Sequence, residues 1–330
     1  MDRAKRASLF FKIASAQPGS TPYTNHRPIH VGRRFVGQTL AQVLGTTLTY
    51  RDAPQKIVAH TKTGEILVDG KSVKPDRIMV GGNRITITQH NYSEPAIEPR
   101  IQIIHEDNSF LVIDKPSPMP VHPCGRFNKN SFLKIAQSAW PDLDLFPVHR
   151  LDANTTGVLL FAKKKTVARH IQLAFERQTI KKIYVAKVRG HPTKDFFEVN
   201  VPINKAPSIA GTRETSRDGQ RAKTKVRVLA RHPDNTSLLE VSPITGRTNQ
   251  IRVHLHLQGH SIIGDPGYGA EYRRDAPLTS TQERLYLHAL SLGVPHPETG
   301  LRAIFTAPPP AWFGNWTEPK TDAEHRSCEV

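Results

Sequence analysis

The chain has 330 residues, 37% of them hydrophobic, which is long enough for one or two domains with a buried core. Its 46 Lys and Arg against 29 Asp and Glu give a net charge of +17, which indicates a polyanionic partner, RNA or DNA before a membrane surface. The two cysteines exclude a disulfide framework and a zinc ribbon, and no apolar run approaches the ~20 residues of a membrane span.

The N-terminal segment is basic and irregular. After Asp2 no acidic residue precedes Asp52, and residues 1–30 show no sustained periodicity. We predict that residues 1–30 form a flexible basic extension. A basic, acid-poor composition is also typical of an organellar transit peptide. The expected location is the cytoplasm, and an organelle is the alternative if residues 1–30 are such a peptide.

Residues 31–94 have the pattern of a small α+β module. Apolar residues between Gln38 and Leu44 recur at helical spacing. The dipeptide Asp69-Gly70 between two apolar stretches predicts a hairpin, and residues 80–87 predict a turn and a strand. A proline-bearing stretch from residue 95 onward reads as a linker.

A second domain is predicted over residues 95–310. Strand patterns at 101–104 and 110–115 precede a helix for which Thr166 is the expected N-cap. The mixture of strand and helix patterns predicts an α+β domain around a mixed sheet. Residues 311–330 follow a triple proline and are expected to form a C-terminal tail.

One short segment carries the strongest chemical signal. His149–Gly157 sets Asp152 two residues after Arg150, immediately before the apolar run Val158–Phe161. A single carboxylate beside an arginine at the start of a buried strand indicates a nucleophile or a base. Taken alone, an aspartate in a loop is more commonly a cap or a turn former.

Three further segments follow downstream: Lys181–Ala186, Thr245–His254 and Gly264–Gly269. In order and spacing, these segments and 149–157 closely resemble the signatures of the RluA-type pseudouridine synthase family, which rearranges uridine in ribosomal or transfer RNA. Residues 31–94 resemble the alpha-L RNA-binding domain that often precedes the catalytic domain of that family. The resemblance implies a pseudouridine-synthase-type mixed β-sheet catalytic domain preceded by a small α+β RNA-binding module.

The resemblance also implies catalytic roles. Asp152 matches the catalytic carboxylate, Arg252 matches the arginine that pairs with it, and Tyr184 matches the tyrosine that faces the target base. Arg252 is expected on a strand, where alternation would direct Gln250, Arg252 and His254 to one face. The implied reaction needs neither a redox cofactor nor a metal, so none is expected.

RNA contacts are expected around these residues. A uridine in folded RNA must leave its stack to reach Asp152, and Arg150 matches an arginine that can fill the vacated space, although a plain phosphate contact would explain it equally well. Leu287 is expected to pack against the base or in the core. Asn249 stands where many relatives carry His, and it keeps a hydrogen bond without titrating near neutral pH. The remaining expected RNA contacts are His122, Arg126 and Arg247.

The sequence therefore predicts an RNA pseudouridine synthase that acts on tRNA or large-subunit rRNA, as a monomer and without a membrane partner. The loop Pro120–Arg126 slightly favours tRNA. A non-catalytic RNA-binding or folding factor on the same scaffold is the alternative. A glycoside hydrolase or lyase is disfavoured because that chemistry usually needs two carboxylates, and the matched segments supply no second one expected near Asp152.

Overall fold

The computed structural model describes residues 1–47, 50, 53–205, 212–269 and 284–314. These residues form two compact units, one of residues 19–94 and one of residues 1–18 with the chain from residue 95 onward. Within the described ranges, no helix is long and apolar enough to cross a membrane. The helices are α1 Arg3–Ser15, α2 Leu40–Gly45, α3 Gln55–Lys62, α4 Phe132–Ala139, α5 Lys165–Glu176 and α6 Gln250–Leu257. The strands are β1 Tyr23–His30, β2 Ile66–Val68, β3 Arg84–Tyr92, β4 Gln102–Glu106, β5 Phe110–Lys115, β6 Phe146–Pro147, β7 Thr156–Ala162, β8 Lys181–Arg189, β9 Phe196–Asn200, β10 Lys223–His232, β11 Thr236–Pro243, β12 Leu287–Pro295 and β13 Arg302–Thr306.

The unit of residues 19–94 is a small α+β unit. Its antiparallel sheet has the order β1-β3-β2, and α2 and α3 contribute to its buried core. The predicted Asp69-Gly70 turn is present, with positive φ at both residues and mutual backbone hydrogen bonds between Val68 and Lys71. The expected second arm of the hairpin is reduced to one bridge, between Val68 and Lys71, and β2 pairs with β3. Residues 48–49 and 51–52, which shortly precede Pro54, lie outside the described residues.

The prediction that residues 1–30 form a flexible extension is wrong. Helix α1 buries Phe10 completely, and the Phe10 ring stacks on Phe132 with centroids 5.1 Å apart. The Trp140 indole N–H donates to the Arg6 carbonyl at 3.1 Å, and the Arg6 guanidinium pairs with Glu106 at 2.9 Å. Helix α1 is thus packed into the core with Arg6 neutralised by Glu106, and the chain continues into strand β1.

The larger unit is built on one ten-stranded sheet with the order β4-β5-β7-β12-β8-β11-β10-β9, to which β6 and β13 add at β7 and β12. Among the described strands β7 and β12 run parallel and the other pairs run antiparallel, so the expected mixed sheet is confirmed. All seven residues of β7 are buried. At Gly157, where φ is +108°, a Cβ would lie 2.2 Å from the Ala289 carbonyl oxygen, so only glycine lets β7 and β12 approach this closely.

Two boundaries in the structure differ from those predicted from the sequence. Helix α5 begins at Lys165 with Lys164 as its N-cap, so Thr166 is inside the helix, whose buried residues include Val167 and Ile171. The predicted tail begins too early, because residues 311–313 form a 3₁₀ turn in which Phe313 is buried. Residues 315–330 lie outside the described part of the chain.

Candidate active site

A cavity of about 400 Å³ opens beside the loop that precedes β7. Its volume falls within the ~300–1,000 Å³ typical of small-molecule sites. The end of α5 with Gln178, strand β8, residues 243 and 245–249, the start of α6 and the first residue of β12 contribute the rest of the wall. Seven of the residues singled out from the sequence line it: Arg150, Asp152, Tyr184, Arg247, Asn249, Arg252 and Leu287.

The loop that carries Asp152 is held in place by a hydrogen bond from a buried lysine. The Ala153 carbonyl accepts from the Met119 N–H at 2.9 Å and from the Lys115 ammonium at 3.1 Å. Lys115 is fully buried and also donates to the carbonyls of Pro116 and Met119, at 2.8 and 2.9 Å. Three acceptors match the three N–H groups of an ammonium. The position of Asp152 is therefore tied to the end of β5.

Arg252 lies on helix α6, so the prediction of a strand there is wrong. Residues two apart on a helix face nearly opposite directions. Accordingly, Arg252 lines the cavity whereas His254 is buried, with its Nδ1 2.8 Å from the Thr224 hydroxyl. The residue before α6, Asn249, has a left-handed backbone with φ of 58°. Asparagine is among the few non-glycine residues that adopt this conformation readily.

Arg252 bridges two carboxylates. Its Nη1 donates to Asp152 Oδ2 at 3.0 Å, while its Nε and Nη2 donate to the two oxygens of Asp265 at 2.7 Å each. Asp265 also accepts the backbone N–H groups of Gly267 and Tyr268 at 2.8 and 3.0 Å. Burial alone would lower the pKa of Arg252, but the charges of Asp265 and Asp152 hold that pKa above its ordinary value. The guanidinium is thus permanently charged beside Asp152.

Asp265 is the residue that the sequence analysis missed. It lies in the matched segment Gly264–Gly269, yet no role was assigned to it, although a carboxylate inside a matched motif was a usable signal. A second carboxylate therefore does lie near Asp152, contrary to the expectation. Its side chain is fully buried and accepts from four donors, which leaves it unsuited to act as the exposed acid of a glycosidase.

Tyr184 lies on strand β8, as its pattern predicts. Burial raises the pKa of Tyr184, and the nearby charge of Asp152 raises it further, so the phenol keeps its proton. Leu287, at the start of β12, lines the same cavity and is 4% exposed. The two side chains give the cavity an aromatic and an aliphatic surface beside the carboxylate, suited to a flat base.

Arg150 is exposed at the cavity. The pKa of His122 is lowered by burial and by the charge of Arg150, which places the 120–126 loop beside this arginine. His122 and the exposed Arg126 are not part of the cavity wall. The Arg247 Nε donates to a backbone carbonyl at 3.0 Å and its side chain lines the cavity.

Two further titratable residues of the wall were not assigned roles from the sequence. The Lys182 ammonium donates to the Thr245 carbonyl at 2.9 Å, and burial together with the charge of Arg247 lowers the pKa of Lys182 to about 8. His149 accepts the Leu160 N–H at 3.0 Å, and burial lowers the pKa of His149 to about 3, which keeps the imidazole neutral. In the described ranges no cluster of three or more His, Cys, Asp or Glu side chains could hold a metal ion.

Comparison with known proteins identifies the family. A family model described as "RNA pseudouridylate synthase" matches residues 109–257, which contain Asp152, Tyr184 and Arg252. "Ribosomal large subunit pseudouridine synthase C" of Vibrio vulnificus is 32% identical over 85% of this chain and 92% of its own length. The chain belongs to the RNA pseudouridine synthase family.

Two other proteins similar to this pseudouridine synthase extend the comparison. One is a longer plant protein, and the other is a human protein of known structure. "RNA pseudouridine synthase 7" of Arabidopsis thaliana is 32% identical over 75% of this chain, which spans 64% of that protein's length. The solved structure of "Human RNA Pseudouridylate Synthase Domain Containing 1" superposes with a TM-score of 0.54 at 25% identity, covering 67% of this chain and 89% of the human one. The predicted family, fold class and isomerase activity are thereby confirmed.

Proposed function

We propose that this pseudouridine synthase converts uridines of large-subunit ribosomal RNA to pseudouridine. The observation that carries the proposal is the Asp152 carboxylate, which is 28% exposed in the cavity and held at 3.0 Å by a buried arginine. The choice of RNA is supported by the relative from Vibrio vulnificus, which is named a ribosomal large subunit pseudouridine synthase and 92% of whose length the chain covers. Transfer RNA, which the 120–126 loop favours, is the second substrate arm of the test.

The reaction is an isomerisation in which atoms balance without a co-reactant. The bond from the sugar carbon C1′ to uracil N1 breaks, the base rotates, a bond from C1′ to C5 forms, and the C5 proton leaves while N1 becomes protonated. Asp152 traps an electrophilic carbon or stabilises the charge that develops during this exchange. Arg252 holds the Asp152 carboxylate in position through the hydrogen bond from its Nη1 at 3.0 Å.

The base must reach the cavity from a folded RNA, so we propose that it flips out of its stack. Tyr184 and Leu287 supply the surfaces against which uracil packs, and Arg150, exposed at the cavity, occupies the space that the base leaves or binds an adjacent phosphate. Arg247, Asn249, His122 and Arg126 extend this contact surface, and the unit of residues 19–94 adds RNA affinity through its basic residues.

The test is tritium release from uridine labelled at C5, with large-subunit rRNA and tRNA transcripts offered separately. Wild type is compared with Asp152→Asn, which keeps the side-chain shape, and with Asp142→Asn, a matched change at an exposed aspartate. We expect release from rRNA by wild type and Asp142→Asn and none by Asp152→Asn. Release by Asp152→Asn, or tight binding without release by wild type, would contradict the proposal and favour a binding factor.

A further inference from the structure

The cavity that contains Asp152 also holds cations that lack an acidic partner. Arg150, Lys182 and Arg247 line it, and in the described part of the chain no carboxylate lies within ion-pair distance of any of them. Arg252, in contrast, is paired twice. Cations that a fold leaves unpaired beside a substrate cavity are available to a substrate anion.

Lys182 is the most constrained of the three. Its ammonium donates to the Thr245 carbonyl at 2.9 Å and lies 5.9 Å from the centroid of the Phe175 ring. An ammonium has three N–H donors, and within the described chain the bond to Thr245 is the one hydrogen bond that the Lys182 ammonium makes. Two donors on a half-buried, positioned cation therefore remain for a ligand.

Lys182 is also correctly placed relative to the base surface. It precedes Tyr184 by two residues on β8, so both side chains leave the same face of the strand roughly 7 Å apart. That separation is comparable with the step from a base to the phosphate of its own nucleotide. Both side chains contribute to the same cavity wall.

We propose that Lys182 binds an RNA phosphodiester of the flipped uridine nucleotide through its two remaining N–H donors. This inference rests on the proposed function only in taking the Asp152 cavity as the place where the nucleotide enters. It assigns Lys182 to substrate binding, whereas Asp152 and Arg252 serve the chemical step.

The proposal has a distinct pH signature. Burial and the charge of Arg247 lower the pKa of Lys182 to about 8. Because the protonated form binds phosphate, RNA affinity should fall as pH rises above about 8. His149 stays neutral over this range, since burial lowers the pKa of His149 to about 3. The charged groups that share the wall with Lys182 are Arg150, Asp152, Glu176, Arg247 and Arg252.

The experiment measures equilibrium binding of a large-subunit rRNA transcript and a tRNA transcript at several salt concentrations and from pH 7 to 9. All variants carry Asp152→Asn to prevent turnover. Lys182→Met is compared with Lys182→Arg and with Lys181→Met, the exposed neighbour on the opposite strand face. For Lys182→Met we expect about tenfold weaker binding and a salt-dependence slope smaller by about 0.7–0.9, the value for one lost phosphate contact.

Lys182→Arg should bind like the parent at pH 7 and lose the decline above pH 8, because arginine does not deprotonate in this range. An unchanged salt slope in Lys182→Met would show that Lys182 contacts the base or acts structurally, and would overturn the proposal. An equal effect of Lys181→Met would do the same, since it would indicate general charge. Tritium release by the proteins with Asp152 intact reports separately on the proposed function.

Discussion

Arg252 holds two carboxylates in contrasting surroundings. Asp265 is fully buried and accepts four hydrogen bonds, two from the guanidinium and two from backbone N–H groups. Asp152 is 28% exposed, and within the described chain it accepts one hydrogen bond, from Arg252. The Asp265 carboxylate positions the arginine, while the Asp152 carboxylate keeps its remaining lone pairs open to the cavity.

From this difference in hydrogen bonding we expect a structural role for Asp265 and a chemical role for Asp152. A carboxylate with four donors is well solvated by the protein and would lose much of that stabilisation on reacting. A carboxylate with a single donor keeps free lone pairs and stays accessible. Changes at the two positions should therefore fail in different ways, one in turnover and the other in stability.

The largest effect is expected on turnover at Asp152. Asp152→Asn removes the nucleophilic or charge-stabilising group, and tritium release should fall by at least ~10³-fold. The melting temperature should change little, because Asp152 makes one partly exposed ion pair. A large loss of stability in this variant would show that Asp152, like Asp265, is part of the folded framework.

The second effect is expected on stability at Asp265. Asp265→Asn leaves the buried side of Arg252 without its bidentate partner, and breaking a buried pair in this way costs about 3–5 kcal/mol of unfolding free energy. Denaturant unfolding would measure this cost, with Asp142→Asn as the exposed control. Turnover should also fall, since Arg252 is no longer fixed. A variant as stable as wild type would remove the distinction between the two carboxylates.

The sequence predicted the residues that line the cavity better than the structural elements that hold them. Asp152, Arg252 and Tyr184 belong to matched motifs, and all three line one cavity. The helix that carries Arg252 was predicted as a strand, because α6 is buried at Ile251, Val253, His254 and Leu255, which hides the 3.6-residue period behind an apparent alternation.

The N-terminal helix was missed for a related reason. Its buried residues are Arg6, Phe10 and Ala14, spaced four apart, and a buried arginine does not register as hydrophobic. Glu106, a hundred residues away, neutralises that arginine. Such long-range pairing is not encoded in local pattern. The mixed sheet was predictable in part because two of its strands, β5 and β7, are nearly continuous apolar runs.

The support beneath Asp152 gives a third prediction. Lys115→Met removes a donor from three backbone carbonyls, including that of Ala153, the residue after Asp152. A displacement of about 1 Å at a reacting group can reduce rate by ~10²-fold, so kcat should fall by roughly 10- to 100-fold with KM little changed. Lys134→Met, at an exposed lysine of α4, is the control. A higher KM with normal kcat would assign Lys115 to binding instead.

The smallest effect on turnover is expected for substitutions of Asn249, whose side chain hydrogen-bonds to both Arg252 and Tyr268. Its Oδ1 accepts from Arg252 at 3.3 Å and its Nδ2 donates to the Tyr268 hydroxyl at 3.2 Å. Asn249→Gly loses these bonds but keeps the left-handed backbone, whereas Asn249→Ala also strains it, at a further ~1–2 kcal/mol. Turnover should fall by less than about tenfold in both variants, with the alanine variant unfolding at lower denaturant. If the Asn249→Gly and Asn249→Ala variants were equally stable, the left-handed backbone at residue 249 would have no influence on stability. If glycine instead abolished turnover, Asn249 would be a participant in the reaction and not only a link between Arg252 and Tyr268.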